Sequence, residues 1–172
     1  MKGQLTIEYL ISFGIFVTLI GYIYLSYTKN IPIFVDEVKK EVTRSEAFQI
    51  SELLINNPGE PSSWTFATVK RIGLSNNTAG KQNLITMNKI NELSNFNCLV
   101  LSEYQSLQKK IATSKQVSLF ILDVNTTDEV RTPLYTCKSP IIQKTAINTT
   151  VRRLTAYNDG NLIKAAEIIV QV

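Results

Sequence analysis

The hydrophobic pattern divides the chain into three regimes. From Tyr9 to Thr28 no position carries a charge, a run of 20 residues. At about 1.5 Å rise per residue, a helix over this run reaches about 30 Å, the thickness of a bilayer's hydrocarbon core. Past it the pattern thins to a stripe. Phe34-Val35, Val38, Val42, Ala47, Ile50 and Leu53-Leu54 recur at three- and four-residue spacings, with Asp36, Glu37, Lys39, Lys40, Glu41, Arg44, Glu46 and Glu52 between them. That spacing predicts an amphipathic helix laid against a globular domain. Pro32 stands between the halves; it removes one ladder donor and crowds the preceding turn, so a kink is expected at residues 28–32. Two separate helices joined at Pro32 are the other reading. Asn56-Asn57-Pro58-Gly59 ends the helix, because Pro58 cannot continue it and the residue before proline leaves helical geometry.

The third regime mixes short helices and strands. Phe66 to Leu74 reads as a short strand and Ser75 to Gln82 as a loop with Gly80. Leu84, Met87, Ile90 and Leu93 recur at three-residue steps across Asn88, Lys89, Asn91 and Glu92, predicting a short helix after a Thr86 cap. Leu99 to Ile111, with Leu101, Tyr104, Leu107 and Ile111, gives a second helical stripe, with Lys109 and Lys110 in its last turn, where the helix dipole favours cations. Val117 to Val124 is apolar on both faces and reads as a central strand. After a turn at Asn125 to Glu129, Val130 to Cys137 and Ile141 to Ile147 read as shorter strands. Thr149 to Tyr157 and Leu162 to Val172 flank Asn158-Asp159-Gly160-Asn161, a hairpin signal. Arg152 and Arg153 are adjacent in a strand, face opposite ways and make no basic patch. There is no internal repeat and no low-complexity linker. The fold class is α+β: one long helix over 4–57, with halves 4–29 and 33–57, then a head over 58–172. The head is expected to hold one or two helices and an antiparallel sheet of about five strands.

Composition narrows the chemistry. The net charge of +4 is modest and the charges are interspersed, so nothing draws nucleic acid. Histidine is absent, which removes the commonest general base and zinc ligand. The acids are scattered, with Asp36-Glu37 and Asp128-Glu129 the only adjacent pairs, and there is no glycine-rich phosphate loop. No enzyme, cofactor or metal is expected. Cys98 and Cys137 are the only cysteines. Outside the cell they would pair, closing a loop of about forty residues worth roughly 3–4 kcal/mol on the chain-entropy estimate; two buried thiols are the alternative. Asn76, Asn125 and Asn148 each head an Asn-x-Thr sequon, candidate glycosylation sites of an external domain. Asn and Thr are both common here, so chance sequons are the competing reading. Trp64, the single tryptophan, either stacks on a sugar or partner or plugs the base of the head.

The N-terminal stretch Met1-Lys2-Gly3-Gln4-Leu5-Thr6-Ile7-Glu8-Tyr9-Leu10 admits four readings. A core helix of a soluble domain does not fit this length and purity. A cleaved secretory signal needs an apolar region of about 7–15 residues and a small-x-small cleavage site; this run is longer and leaves through bulky Tyr22-Ile23-Tyr24-Leu25-Ser26-Tyr27. A single-pass anchor fits. So does a leader cut before the apolar run. Gly3, Gln4, Thr6 and Glu8, followed by Tyr9-Leu10-Ile11, resemble the class III signal peptide of archaeal type IV-like pilins, with Thr6 where that family usually has serine. The resemblance implies processing between Gly3 and Gln4 and a leader of residues 1–3. It implies that Glu8 meets the freed ammonium of a neighbouring subunit, with Thr6, Tyr9 and Leu10 beside it in assembly. Sitting at headgroup depth or beside the positive end of the helix is the plainer role for Glu8.

The resemblance further implies other pilin subunits, a prepilin peptidase, an assembly ATPase and a membrane platform as partners. The chain would be a single-pass membrane precursor, then part of an extracellular pilus. Pro58-Gly59-Glu60-Pro61-Ser62-Ser63-Trp64 with Ile72-Gly73-Leu74 is similar to a short pattern in pilin-like proteins of methanogenic archaea. A head this large suggests a minor pilin for adhesion or pilus initiation. The alternative is a membrane-anchored external binding domain that does not polymerise. Lys29, Lys39, Lys40 and Arg44 lie past the apolar run against Lys2 before it, which opposes the N-terminus-inside orientation that the leader implies.

Overall fold

The computed structural model describes residues 4–76, 83–124, 131–141, 149–160 and 162–172. In chain order its elements are α1 (Gln4–Asn56), β1 (Leu84–Thr86), α2 (Met87–Leu93), α3 (Leu101–Ile111), β2 (Ser118–Val124), β3 (Arg131–Cys137), β4 (Thr150–Asp159) and β5 (Leu162–Gln171). The chain divides into two compact units, one ending at Glu41 and one spanning Val42–Val172. The fold is α+β, as expected.

Helix α1 runs through Pro32 without interruption, so two helices joined there are excluded. Of the predicted amphipathic stripe, only Ala47, Ile50 and Leu54 are buried, together with Ile55, whereas Phe34, Val35, Val38, Val42 and Leu53 are exposed. The helix therefore joins the head core from Ala47, not from residue 33. The reason is a change of phase. Val42 to Ala47 is a five-residue step, which at about 100° per residue turns the stripe by about 140°.

The head sheet has the order β1-β4-β5-β2-β3. Strands β4 and β5 form the predicted hairpin, in antiparallel register from Thr150↔Gln171 to Asp159↔Leu162. In the connection between them Gly160 has φ +65°, a conformation glycine adopts at no steric cost. Strand β2 is an interior strand, paired antiparallel with β5 on one side and β3 on the other. Its register with β3 shifts between Ile121 and Leu122, opposite Pro133. The sheet is mixed rather than wholly antiparallel, because β1 pairs in parallel with β4, Leu84↔Ala156 to Thr86↔Asn158. Four elements separate β1 from β4 in sequence, so no hairpin constrains their direction. The predicted Ile141 to Ile147 strand and the Asn125 to Glu129 turn lie, apart from Ile141, outside the described residues.

One face of the sheet carries the core. Leu119 and Ile121 of β2 and Ala166, Ile168 and Val170 of β5 pack with Ile85, Ile90, Leu93, Tyr104, Leu107 and the α1 residues 47–55. The Tyr104 hydroxyl donates to Val117 O at 3.0 Å and accepts from Val117 N–H at 2.8 Å, tying α3 to the start of β2. Helix α3 begins at Leu101 and ends in Lys109 and Lys110, with Ala112 left-handed at its C-cap. Thr86 is the N-cap of α2 but makes no side-chain cap bond.

Residues 57–75 do not form the predicted strand at 66–74. They fold into a knot on the C-terminal end of α1. Leu74 N–H donates to Leu54 O at 2.8 Å, Ser75 N–H to Asn57 O at 3.1 Å, and Ile72 N–H to Lys110 O at 3.0 Å. The first bond satisfies a carbonyl that a helix end otherwise leaves bare. Trp64 is buried, and its indole N–H donates to Gly73 O at 2.8 Å. A Cβ on Gly59 would lie 2.6 Å from the Trp64 ring, and one on Gly73 would strike the Asn57 backbone. Gly59, Trp64 and Gly73 therefore interlock, so this pattern encodes packing and Trp64 is a structural plug. No continuous ladder strand forms because the backbone groups of 70–75 are shared out among Glu60, α1, α3 and β1.

Candidate functional site

The first unit is one helix whose side chains turn outward. Fifteen large apolar residues from Ile7 to Tyr27 are exposed. Among the described residues this is the one helix long and apolar enough to cross a membrane. Tyr9 and Phe13, one turn apart, stack at 6.4 Å between centroids. Gly14 and Gly21 have open space where a Cβ would stand. The Thr18 hydroxyl donates back to Gly14 O at 2.6 Å and Thr28 to Leu25 O at 3.1 Å, so these hydroxyls are satisfied within the helix and present no free donor to an apolar environment. Glu8 is exposed beside this surface, one residue before the uncharged run. Gln4 and Thr6 lie on the first turns of α1, and Gly3 lies outside the described residues.

Among its described residues the second unit carries no recognisable catalytic constellation. No group of three or more Cys, Asp or Glu able to hold a metal occurs among the described residues. Cys98 and Cys137 are joined in a disulfide, with Cα atoms 5.4 Å apart. The Tyr135 hydroxyl lies 3.6 Å from Cys98 Sγ, and burial raises the Tyr135 pKa well above the usual tyrosine value. Asn76 is half-buried and its backbone N–H donates to Leu84 O at 2.8 Å, which ties this residue to β1; the rest of its sequon lies outside the described residues. Asn125 and Asn148 lie outside the described residues.

Two features of the head escape the sequence pattern. Lys89, expected on the solvent side of α2, is only 8% exposed. Its Nζ donates to Pro58 O at 2.6 Å and Ser75 O at 2.7 Å, and burial pushes its pKa down to about 8. It ties both ends of the Trp64 knot to α2. Among the described residues its partners are carbonyls, so it is a clasp on two backbone oxygens rather than an ion pair. The second feature is Leu99, expected as the first residue of the α3 helix. It lies before the helix and is 87% exposed, with Val100 and Leu101 also exposed. The opposing directions of Arg152 and Arg153 do appear. Arg153 pairs with Glu52 of α1, and Arg152 faces the other side toward Glu167 at 3.9 Å.

Among the described residues nothing activates a nucleophile or cradles a phosphate. What they offer is surface: an apolar helix on one unit and a stapled, knotted head on the other. Comparison of the chain with family models, with curated proteins and with solved structures finds no match.

Proposed function

We propose that the chain is a pilin-like subunit, trimmed between Gly3 and Gln4 and assembled through its N-terminal helix into a surface filament that displays the head. The observation that carries this reading is the exposure of fifteen large apolar side chains along α1. Leaving them in water would cost on the order of 20 kcal/mol, so lipid or other copies of the helix must cover them. The Gly3-Gln4-x-Thr6-x-Glu8 leader favours a helix that uses both in turn. In the bilayer Glu8 is costly unless paired. A freed ammonium on Gln4 of a neighbouring copy would supply the partner and favour transfer into the filament. The size of the head suits a minor subunit, for adhesion or initiation, and its disulfide suits an external location.

The test is the intact mass of the mature chain from the cell-surface fraction, with filament incorporation scored beside it. A mature chain beginning at Gln4, lost in Gly3→Val, is the expected result. Glu8→Ala is expected to be trimmed yet to enter filaments at least tenfold less well. A chain that keeps Met1, with Gly3→Val indistinguishable from wild type, would mean instead a tethered external domain that does not polymerise.

A further inference from the structure

The knot and α3 gather cations that are far apart in sequence. Ile72 N–H donates to Lys110 O at 3.0 Å, so the chain leaving Lys70-Arg71 crosses the C-terminal end of α3, where Lys109 and Lys110 stand. Lys70, Arg71 and Lys109 are exposed, and Lys110 is half-buried. The dipole of α3 accounts for Lys109 and Lys110, since its C-terminal end favours cations. It does not account for a second cationic pair delivered to the same place by another segment. The carboxylates at the edge are Glu60, bridged to Arg71 through the backbone, and Glu92, whose Oε2 accepts the Phe66 N–H at 2.7 Å. Four cations against two carboxylates leave this surface positive, a concentration that the interspersed charges of the sequence conceal.

The same surface carries an aromatic ring and two hydroxyls. Phe66 is 37% exposed, and its ring meets that of Phe96 edge-on at 4.7 Å between centroids. The Lys110 ammonium lies 5.9 Å from the Phe66 centroid and 4.9 Å from that of Phe96, so this cation is held beside the exposed ring. Thr65 and Thr68, which flank Phe66 in sequence, are exposed. Their hydroxyl oxygens stand 3.1 Å apart, and Thr68 Oγ1 accepts the Thr65 N–H at 3.0 Å. A hydroxyl can donate once and accept twice, so both keep a bonding position for a partner.

We propose that this surface binds an acidic polysaccharide. Lys70, Arg71, Lys109 and Lys110 pair with its carboxylates, the Phe66 ring carries the C–H face of a sugar, and the Thr65 and Thr68 hydroxyls bond sugar hydroxyls. A single-stranded nucleic acid fits less well, because its successive bases stack on successive aromatic side chains and this surface presents one ring. A neutral glycan would make no use of the cations. The inference is read from the head alone. It names a ligand class for that surface and holds whether or not copies of the chain assemble through α1.

The experiment titrates the full chain, in micelles of an uncharged detergent, onto immobilised polygalacturonate, its methyl ester and oligothymidine. The expected result is binding to polygalacturonate that weakens about tenfold as salt rises from about 0.05 M to about 0.5 M, and at least about tenfold weaker binding to the ester. Arg71→Gln and Lys109→Gln should each lower the affinity about threefold, and together about tenfold. Phe66→Leu should also lower it about threefold while leaving the salt dependence as in wild type. Lys164→Gln removes the same charge from β5 and should change nothing. The three glutamine variants alter exposed or half-buried side chains, so their urea midpoints should match wild type. Failure to bind polygalacturonate, equal binding to acid and ester, or full affinity in the double variant would overturn the proposal. So would tighter binding to oligothymidine, which would make the surface a nucleic-acid site. None of these outcomes bears on trimming after Gly3 or on filament entry, which are scored separately.

Discussion

The buried ammonium of Lys89 should make the head more stable as the solution turns alkaline, against the usual trend. Below about pH 8 the lysine is charged in both folded and unfolded chains, and the folded state bears the full cost of its burial. The folded group releases its proton near pH 8, whereas the unfolded one holds it to 10.5. Across that window the unfolded state binds more protons, so stability rises with pH. The full difference is roughly 3 kcal/mol, of which about 2 kcal/mol should accrue between about pH 7 and about pH 9.5. The neutral amine can still donate to Pro58 O and Ser75 O, so the clasp survives deprotonation. Above about pH 10 the trend reverses, because unfolded tyrosines ionise while Tyr135 and Tyr157, both raised chiefly by burial, stay neutral. The assay is urea unfolding of the full chain in detergent micelles, read by the fluorescence of Trp64. That residue is the sole tryptophan and is buried in the knot that Lys89 clasps. Lys89→Met serves as the control, since subtracting its curve removes every other titrating group. A wild-type-minus-variant difference that stays flat or falls over this range would refute the reasoning.

Three further outcomes follow from the packing, each read by the urea midpoint. Gly73→Ala drives a methyl into the Asn57 backbone, where no side chain can yield, and should cost about 3 kcal/mol. Replacing Cys98 and Cys137 together by alanine frees a 39-residue separation and should cost about 4 kcal/mol, which reduction of the wild type should reproduce. Trp64→Phe keeps most of the buried ring but orphans Gly73 O. It should cost about 2 kcal/mol, followed by far-ultraviolet circular dichroism because the fluorophore is gone.

Much of this architecture is legible in the residue pattern because its signals are local. The uncharged run 9–28 dictates a helix by itself. Asp159-Gly160 dictates a turn and thereby the β4–β5 register, since a two-residue connection leaves no freedom to slip. The alternation at Leu119 and Ile121 gives the core face of β2. The misreadings share a different cause. Val69 to Leu74 is apolar enough for a strand, yet its partners are Leu54, Lys110 and Glu60, none of which local periodicity can indicate. Strand β1 is three residues long, too short to declare a period, and its parallel partner lies some seventy residues away. Lys89 looks like any solvent-facing lysine of a short helix, and only the two carbonyls brought over it by the knot reveal otherwise. At the candidate site, the apolar surface of α1 is read directly from composition. Leu99 carries no such signal, because an apolar residue two steps ahead of a helix fits its first turn as well as the surface.

The bridge between Cys98 and Cys137 also sets how far this head can be drawn out under tension. The unit from Val42 to Val172, pulled straight, would reach about 450 Å at about 3.4 Å per residue. The 39-residue separation spanned by the bridge withholds about 130 Å of that contour, since a covalent link does not yield to forces that unravel hydrogen bonds. The withheld length contains α3, β2 and nearly all of β3. A head loaded through its ends therefore surrenders its flanks first, and the stapled loop is never part of its slack.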